Sequence, residues 1–235
     1  MKSPRGRQLV LDLPHRSALG RDDFLVSRSN AEAVALIDRW PSWPTTALAL
    51  VGHAGSGKTH LAEVWRRMSE AKIIAAQALA RSDIPPLLAE GALVIEDAAG
   101  TDLDERALFH LLNLAREQNA FILLTAQEPP ATWRLKLPDL ASRLKAIPVL
   151  RLGLPDDDLL RGVIVKLFAD RQISVDEAVV SYILTRIPRA LAAARALLAE
   201  IDRRALEEKA EVTRNFVARV LREFDQGSLF SDDEI

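Results

Sequence analysis

One octapeptide constrains this chain more than any other stretch: Gly52-His53-Ala54-Gly55-Ser56-Gly57-Lys58-Thr59. It reads G-x-x-x-x-G-K-T. It follows the apolar run Leu48-Ala49-Leu50-Val51 and precedes a helix-like stretch at residues 60–68. Strand, glycine-rich loop and helix, in that order, form the context in which such a loop wraps a phosphate. The glycines let successive backbone N–H groups turn inward, and the helix N-terminus adds partial positive charge. Lys58 brings a point charge to the outer phosphates, and the Thr59 hydroxyl reaches Mg²⁺. The alternative is a ligand-free strand-to-helix turn. The flanking strand and helix favour the phosphate loop, and with it binding of ATP, ADP or a related nucleotide. His60 reads as a helix-start residue beside the loop rather than as a catalyst.

Apolar runs alternate with helix-period stretches over the first two thirds of the chain. Strands are expected at residues 47–51, 72–75, 92–95, 121–125 and 149–152, with helices at 30–39, 60–68, 87–90 and 103–118. The last of these carries an apolar stripe at Leu103, Ala107, Leu108, Leu111, Leu112 and Leu114. Alternation of this kind implies an α/β fold with a five-stranded parallel sheet flanked by helices. After Leu154-Pro155 the pattern changes to helices alone, at 156–170, 175–185, 189–203 and 213–224. The organisation expected is a flexible arm (1–20), a nucleotide-binding domain (21–154), a small all-helical domain (155–224) and an acidic, disordered tail (225–235).

A phosphate loop needs a carboxylate at the end of a neighbouring strand to hold Mg²⁺ and orient water. Leu93-Val94-Ile95-Glu96-Asp97 supplies three apolar residues and then two acids. Glu96 takes the metal position, where an Asp is usual, and its extra methylene pushes the carboxylate outward. Asp97, in the water-polarising position, is short. The expectation is intact nucleotide binding with slow intrinsic hydrolysis. Alternatively, Glu96 and Asp97 are only surface residues at a strand end.

Composition closes off other classes. The 235-residue chain has no Cys, which excludes disulfides and Cys-ligated metal and is compatible with a reducing cytosol. The four His are scattered without metal-ligand spacing. No apolar run is long enough to span a bilayer. The formal net charge of −2 argues against a generally basic nucleic-acid binder.

Beyond the phosphate loop, an ordered set of segments resembles the AAA+ ATPases, and within them the DnaA group of replication initiators. Gly55-Ser56-Gly57-Lys58-Thr59-His60-Leu61 is similar to that group's G-x-G-K-T-H-L. Asp23-Phe24-Leu25-Val26-Ser27-Arg28-Ser29-Asn30 resembles the segment that packs on adenine, which implies roles for Leu25 and Val26. Leu123 to Pro130 resembles the sensor 1 strand and its exit. Gln127 stands at the polar sensor position, where the group has Asp, with Thr125 as the fallback. Leu137-Pro138-Asp139-Leu140-Ala141-Ser142-Arg143-Leu144 resembles the region of the arginine finger, which implies that Arg143 acts in trans on a neighbour's nucleotide. Ile187-Pro188-Arg189-Ala190-Leu191 resembles the start of the sensor 2 helix, so Arg189 would reach the chain's own phosphates. A surface salt bridge for Arg143 and a solvated helix end for Arg189 are the structural alternatives. The resemblance spans roughly residues 20–222.

No recognition helix or basic tail follows the helical domain, so the chain resembles the Hda family of short DnaA relatives. That resemblance implies a bacterial cytoplasmic protein, brought to the nucleoid by the DNA polymerase III sliding clamp, which binds ADP or ATP with Mg²⁺. It would stimulate hydrolysis of ATP on DnaA and thereby inhibit re-initiation of replication, without sequence-specific DNA binding of its own. Gln8, Leu9, Leu11 and Leu13 resemble the family's clamp-binding peptide, although the same alternation suits an edge strand. Gln226-Gly227-Ser228-Leu229-Phe230 is a weaker second candidate peptide. AAA+ surfaces also self-associate, and a homodimer would cover Arg143. A helicase loader and a stand-alone ATPase motor are the competing classes.

Overall fold

The computed structural model describes Arg21, residues 24–99 and residues 103–226. The expectations for Gln8, Leu9, Leu11 and Leu13 lie outside the described residues, as do those for 227–235. Five strands, β1 (Ala47–Val51), β2 (Lys72–Ala75), β3 (Ala92–Glu96), β4 (Phe121–Ala126) and β5 (Val149–Arg151), form one parallel sheet in the order β2-β3-β4-β1-β5.

The strands read as unbroken apolar runs because both faces are covered. Alternate side chains point to opposite sides. On one face Ala49, Leu93, Ile95, Ile122 and Leu124 share a core with Leu108, Leu111 and Leu112 of α4 (Glu105–Gln118) and with Leu140 and Leu144 of α5 (Pro138–Lys145). On the other, Leu48, Leu50, Val94 and Leu123 meet Val34 and Ile37 of α1 (Ala31–Ile37) and Leu61, Val64 and Trp65 of α2 (Lys58–Ser69). Trp43 stacks on Trp65 at a centroid distance of 4.8 Å, and Phe121 meets Trp43 edge to face.

Beyond Pro155 the described residues form helices only: α6 (Asp157–Asp170), α7 (Glu177–Leu184), α8 (Leu191–Glu208) and α9 (Arg214–Gln226). Compactness divides the chain after residue 160 and groups residues 189–192 with the sheet unit. The helical unit buries Ile164 and Phe168 of α6, Val180 and Ile183 of α7, Leu197 and Ile201 of α8, and Val217 and Val220 of α9.

Three local elements depart from the sequence reading. The helix expected at 87–90 is instead a single turn, α3 (Ile84–Leu87), with Pro85 and Pro86 in its first turn, where the missing N–H groups cost nothing. Helix α5 was not anticipated. It starts on Pro138 and spans only eight residues, too few to show a period. Helix α8 runs five residues past 203, extended by Arg203 and Arg204 pairing with Glu200 and by Arg203 pairing with Glu207.

Trp65 is fully buried, and its indole N–H has no hydrogen-bond partner among the described residues. Trp65→Ala is expected to cost about 3–5 kcal/mol in urea denaturation of the full chain. Trp65→Phe, which keeps a ring against Trp43 and removes the unpartnered N–H, should cost less than half of that.

Candidate nucleotide site

The loop from Gly52 to Gly57 leaves the carboxyl end of β1 and feeds α2, which starts at Lys58. Gly57, the residue before the helix, has φ +101°, a conformation that L side chains rarely adopt. At Gly52 the constraint is space. A Cβ there would lie 2.6 Å from Ser56 Oγ and 2.7 Å from the Leu152 carbonyl oxygen. Lys58 is buried, and its ammonium donates to the Gly52 carbonyl at 2.7 Å and to the His53 carbonyl at 3.0 Å. Burial lowers the Lys58 pKa, and the charge of Asp97 works against that shift. Thr59 is exposed on the first turn of α2. His60, next in line, meets the Phe24 ring edge to face at 5.0 Å, which sets α2 against the segment leading to Leu25 and Val26.

The acid pair sits at the end of β3. Glu96 is half-buried, and its Oε1 is buried with no hydrogen-bond partner among the described residues. Asp97 is exposed and left-handed, with φ +52°, a conformation Asp tolerates better than most residues. Two bonds from β4 fix this corner: Asp97 N–H donates to Thr125 Oγ1 at 3.2 Å, and Ala98 N–H to the Thr125 carbonyl at 2.8 Å. A third ties in the phosphate loop, from Gly52 N–H to the Ala126 carbonyl at 3.2 Å. Thr125 is therefore buried structural glue, whereas Gln127 lies exposed just past the strand.

Val26 sits on a rigid turn and is 52% exposed. Buried Asn30 provides the rigidity: its Oδ1 accepts from Ser27 N–H at 2.8 Å and its Nδ2 donates to the Leu25 carbonyl at 3.0 Å. Sequence reasoning placed Asn30 in the adenine segment without giving it this task.

These residues fit a nucleotide and its Mg²⁺. Glycines at Gly52, Gly55 and Gly57 leave room that a Cβ would fill, and among the described residues Ser56 Oγ and Glu96 Oε1 have no hydrogen-bond partner, leaving the hydroxyl able to donate to a phosphate and the carboxylate able to meet a cation. Among the described residues no cluster of three or more His, Asp or Glu could hold an ion unaided, so Thr59 and Glu96 would share the metal with phosphate oxygens.

The segment after Arg189 reaches the loop directly. Leu191 N–H donates to the Gly55 carbonyl at 3.0 Å, and Leu191 Cδ1 would be 3.2 Å from a Cβ on Gly57. The Cβ atoms of Ala190 and Ala192 crowd Gly55 at 3.2 and 3.4 Å from the same imagined position. Arg189 itself is exposed and paired with Asp157 at 2.9 Å. The sequence gives no sign of the Leu191 bond, because it uses only a backbone group.

Arg143 is not part of this cluster. It lines a cavity of about 520 Å³ with Thr46, Phe109, Leu112, Arg116 and Ile147, at the amino end of β1. The phosphate loop leaves the carboxyl end of the same strand, roughly 16 Å away by strand rise. Arg143 is half-buried, with its guanidinium carbon 5.2 Å from the Phe109 ring centroid, and among the described residues it has no ion pair.

Residues 162–221 match the family model described as Hda, lid domain. Domain III of the Thermotoga maritima replication initiation protein DnaA superposes with a TM-score of 0.73 at 17% identity, covering 90% of this chain and 99% of that one. AMPPCP-bound DnaA from Aquifex aeolicus gives 0.67 at 15%, covering 87% and 69%. The Thermotoga maritima RuvB Holliday junction branch migration motor gives 0.66 at 20%, covering 87% and 71%. At these identities the structural likeness establishes the fold alone, a five-stranded parallel sheet flanked by helices together with a small helical unit. Among the described residues no helix is long and apolar enough to cross a membrane.

The crowding at Gly52 yields a direct test. Gly52→Ala should weaken ADP binding, read by calorimetry, by roughly tenfold or more, since the loop must shift to admit the methyl. Gly91→Ala meets nothing within 4 Å and strains only a turn with φ +74°, so ADP affinity should be unchanged.

Proposed function

We propose that this chain, an AAA+ protein related to Hda and DnaA, is a nucleotide-bound regulator that binds the sliding clamp and stimulates hydrolysis of ATP held by DnaA. The observation that carries the reading is the separation of Arg143 from the phosphate loop along β1. Arg143 cannot serve the chain's own nucleotide, and it is not neutralised by a carboxylate among the described residues. An arginine so placed suits action in trans. The Hda lid-family match and the DnaA-like fold support DnaA as the neighbour.

The chain's own nucleotide has a structural task in this reading. The N–H groups of Gly55 and Gly57 would cradle its phosphates, joined by that of Ser56 once it leaves the His53 carbonyl, to which it donates at 3.2 Å. Lys58 turns from the Gly52 and His53 carbonyls to the outer phosphates, and Val26 packs on the base beside Leu25. Mg²⁺, held by Thr59 and Glu96, would neutralise phosphate charge. Asp97, exposed and short, orients water poorly, so ADP persists once formed and intrinsic turnover is weak. Arg189, released from Asp157, would meet the phosphates, while Gln127 reads the same region from β4. On DnaA, the Arg143 guanidinium would stabilise charge on the transferring phosphoryl group. Gln8, Leu9, Leu11 and Leu13 would lie extended in a clamp groove, raising the local concentration of Arg143 at DNA-bound DnaA.

The test is hydrolysis of DnaA-bound ATP with ADP, this protein and clamp loaded on DNA. Wild type should stimulate. Arg143→Ala should lose about a thousandfold or more of a finger's contribution while still binding ADP. Gln8→Ala should fail on loaded clamp. Absence of stimulation by wild type would overturn the reading and turn the search to helicase loading.

A further inference from the structure

We infer that the end of α7 and the start of α9 form a docking surface for the phosphate backbone of duplex DNA, centred on Arg186, Arg214 and Tyr182. The surface lies wholly within the helical unit and uses neither Arg143 nor the phosphate loop.

Arginines of this unit mostly end on carboxylates. Arg161 pairs with Glu177, Arg171 with Asp202, Arg203 with Glu200 and Glu207, Arg204 with Glu200 and Glu223, and Arg219 with Glu208. Arg186 and Arg214 differ. Both are exposed, and among the described residues neither has an ion pair. The ring of half-buried Tyr182 organises them instead, with the two guanidinium carbons 3.7 and 5.1 Å from its centroid. Arg186 also donates to Thr185 Oγ1 at 2.7 Å and to the Tyr182 carbonyl at 3.2 Å. These neutral partners hold the head and leave its charge intact.

The arrangement is costly without a ligand. Two like charges share one ring, and Arg214 opens α9, where the helix dipole disfavours a cation. Glu211 stands three residues before Arg214, yet the two form no ion pair. An anion at the two heads removes the repulsion and suits the start of α9. Arg222, about 12 Å along α9 by helix rise, is also exposed. It meets the Ala218 carbonyl at 3.2 Å and no carboxylate among the described residues. It extends the positive charge along the helix.

The chemistry of the heads selects the anion. A guanidinium fork matches phosphate oxygens bidentately. Arg186, at 3.7 Å, occupies a ring face on which a base of a single strand would stack. The surface therefore meets backbone rather than bases and carries no sequence preference. A duplex presents its charges in a fixed row, as Arg214 and Arg222 do, whereas an acidic peptide must first be ordered. The whole chain has a net charge of −2, so the contact is local and weak.

Tyr182 is the single tyrosine of the chain, so ring-labelled tyrosine gives one set of NMR signals at the surface. The full chain is titrated with a duplex of about twelve base pairs and, separately, with a glutamate peptide of equal total charge. The duplex should shift the Tyr182 signals with a Kd on the order of 0.1 mM in low salt. Arg186→Gln combined with Arg214→Gln should weaken binding about tenfold or more without lowering the melting temperature. The slope of log affinity against log salt should shrink by about 1.8, the value for two lost phosphate contacts. Arg214→Lys, which keeps the charge, should bind within about threefold of wild type. Arg214→Gln alone replaces the double variant if the latter melts early, with about half the loss of slope. Silent Tyr182 signals at about 1 mM duplex would overturn the inference, as would a double variant that binds like wild type. A glutamate peptide that shifts Tyr182 as strongly as DNA would also overturn it and assign the surface to an acidic protein.

Discussion

Both corners of the nucleotide site are stitched to the end of β4. Gly52 N–H reaches the Ala126 carbonyl, and Asp97 and Ala98 reach the hydroxyl and the carbonyl of Thr125. Strand order makes this unavoidable. With β4 between β1 and β3, the phosphate loop and the acid pair are not neighbours in the sheet and can be registered only through the strand between them. Three hydrogen bonds at one strand end therefore set where Lys58 stands relative to Glu96 and Asp97. The crevice at the carboxyl ends of the strands, where strand order changes direction, is the usual ligand position in open α/β sheets.

The site carries energetic costs that the core supports. Lys58 is buried with only two carbonyls as partners, Ser56 Oγ and Glu96 Oε1 have no partner among the described residues, and Asp97 is held left-handed. The buried ammonium and the two polar oxygens are unfavourable unless a phosphate or cation completes them. The apolar layers on both faces of the sheet hold these groups in place. Trp65 anchors α2 to the core only seven residues after Lys58.

The sheet was legible because its strands are two-face buried and so read as short apolar blocks between helix-period stretches. All five strands were located within a residue or so at each end. The phosphate loop and the acid pair were legible because their chemistry is contiguous in sequence. What could not be read depends on packing. Phe109 lies 34 residues before Arg143, beside the apolar stripe of its helix, and nothing in its place in the sequence points to that arginine. Asn30 shapes the adenine turn through its amide, and Leu191 touches Gly55 through a backbone N–H that any residue would supply. The short helix α5 was visible only as a motif, because eight residues show hardly two turns.

Placing the phosphate loop at one end of β1 and Arg143, which has no ion pair among the described residues, at the other gives the sheet unit a head and a tail. A contact that seats the tail of one molecule on the head of the next uses two unlike surfaces, so it is heterologous and leaves each partner one unused end. Such a contact has no built-in stopping point. Copies of this chain would extend or close into a ring according to the rotation between neighbours. The size of the assembly is then decided by whatever blocks an end, and a partner that occupies only the guanidinium end leaves the cradle end open to one more neighbour.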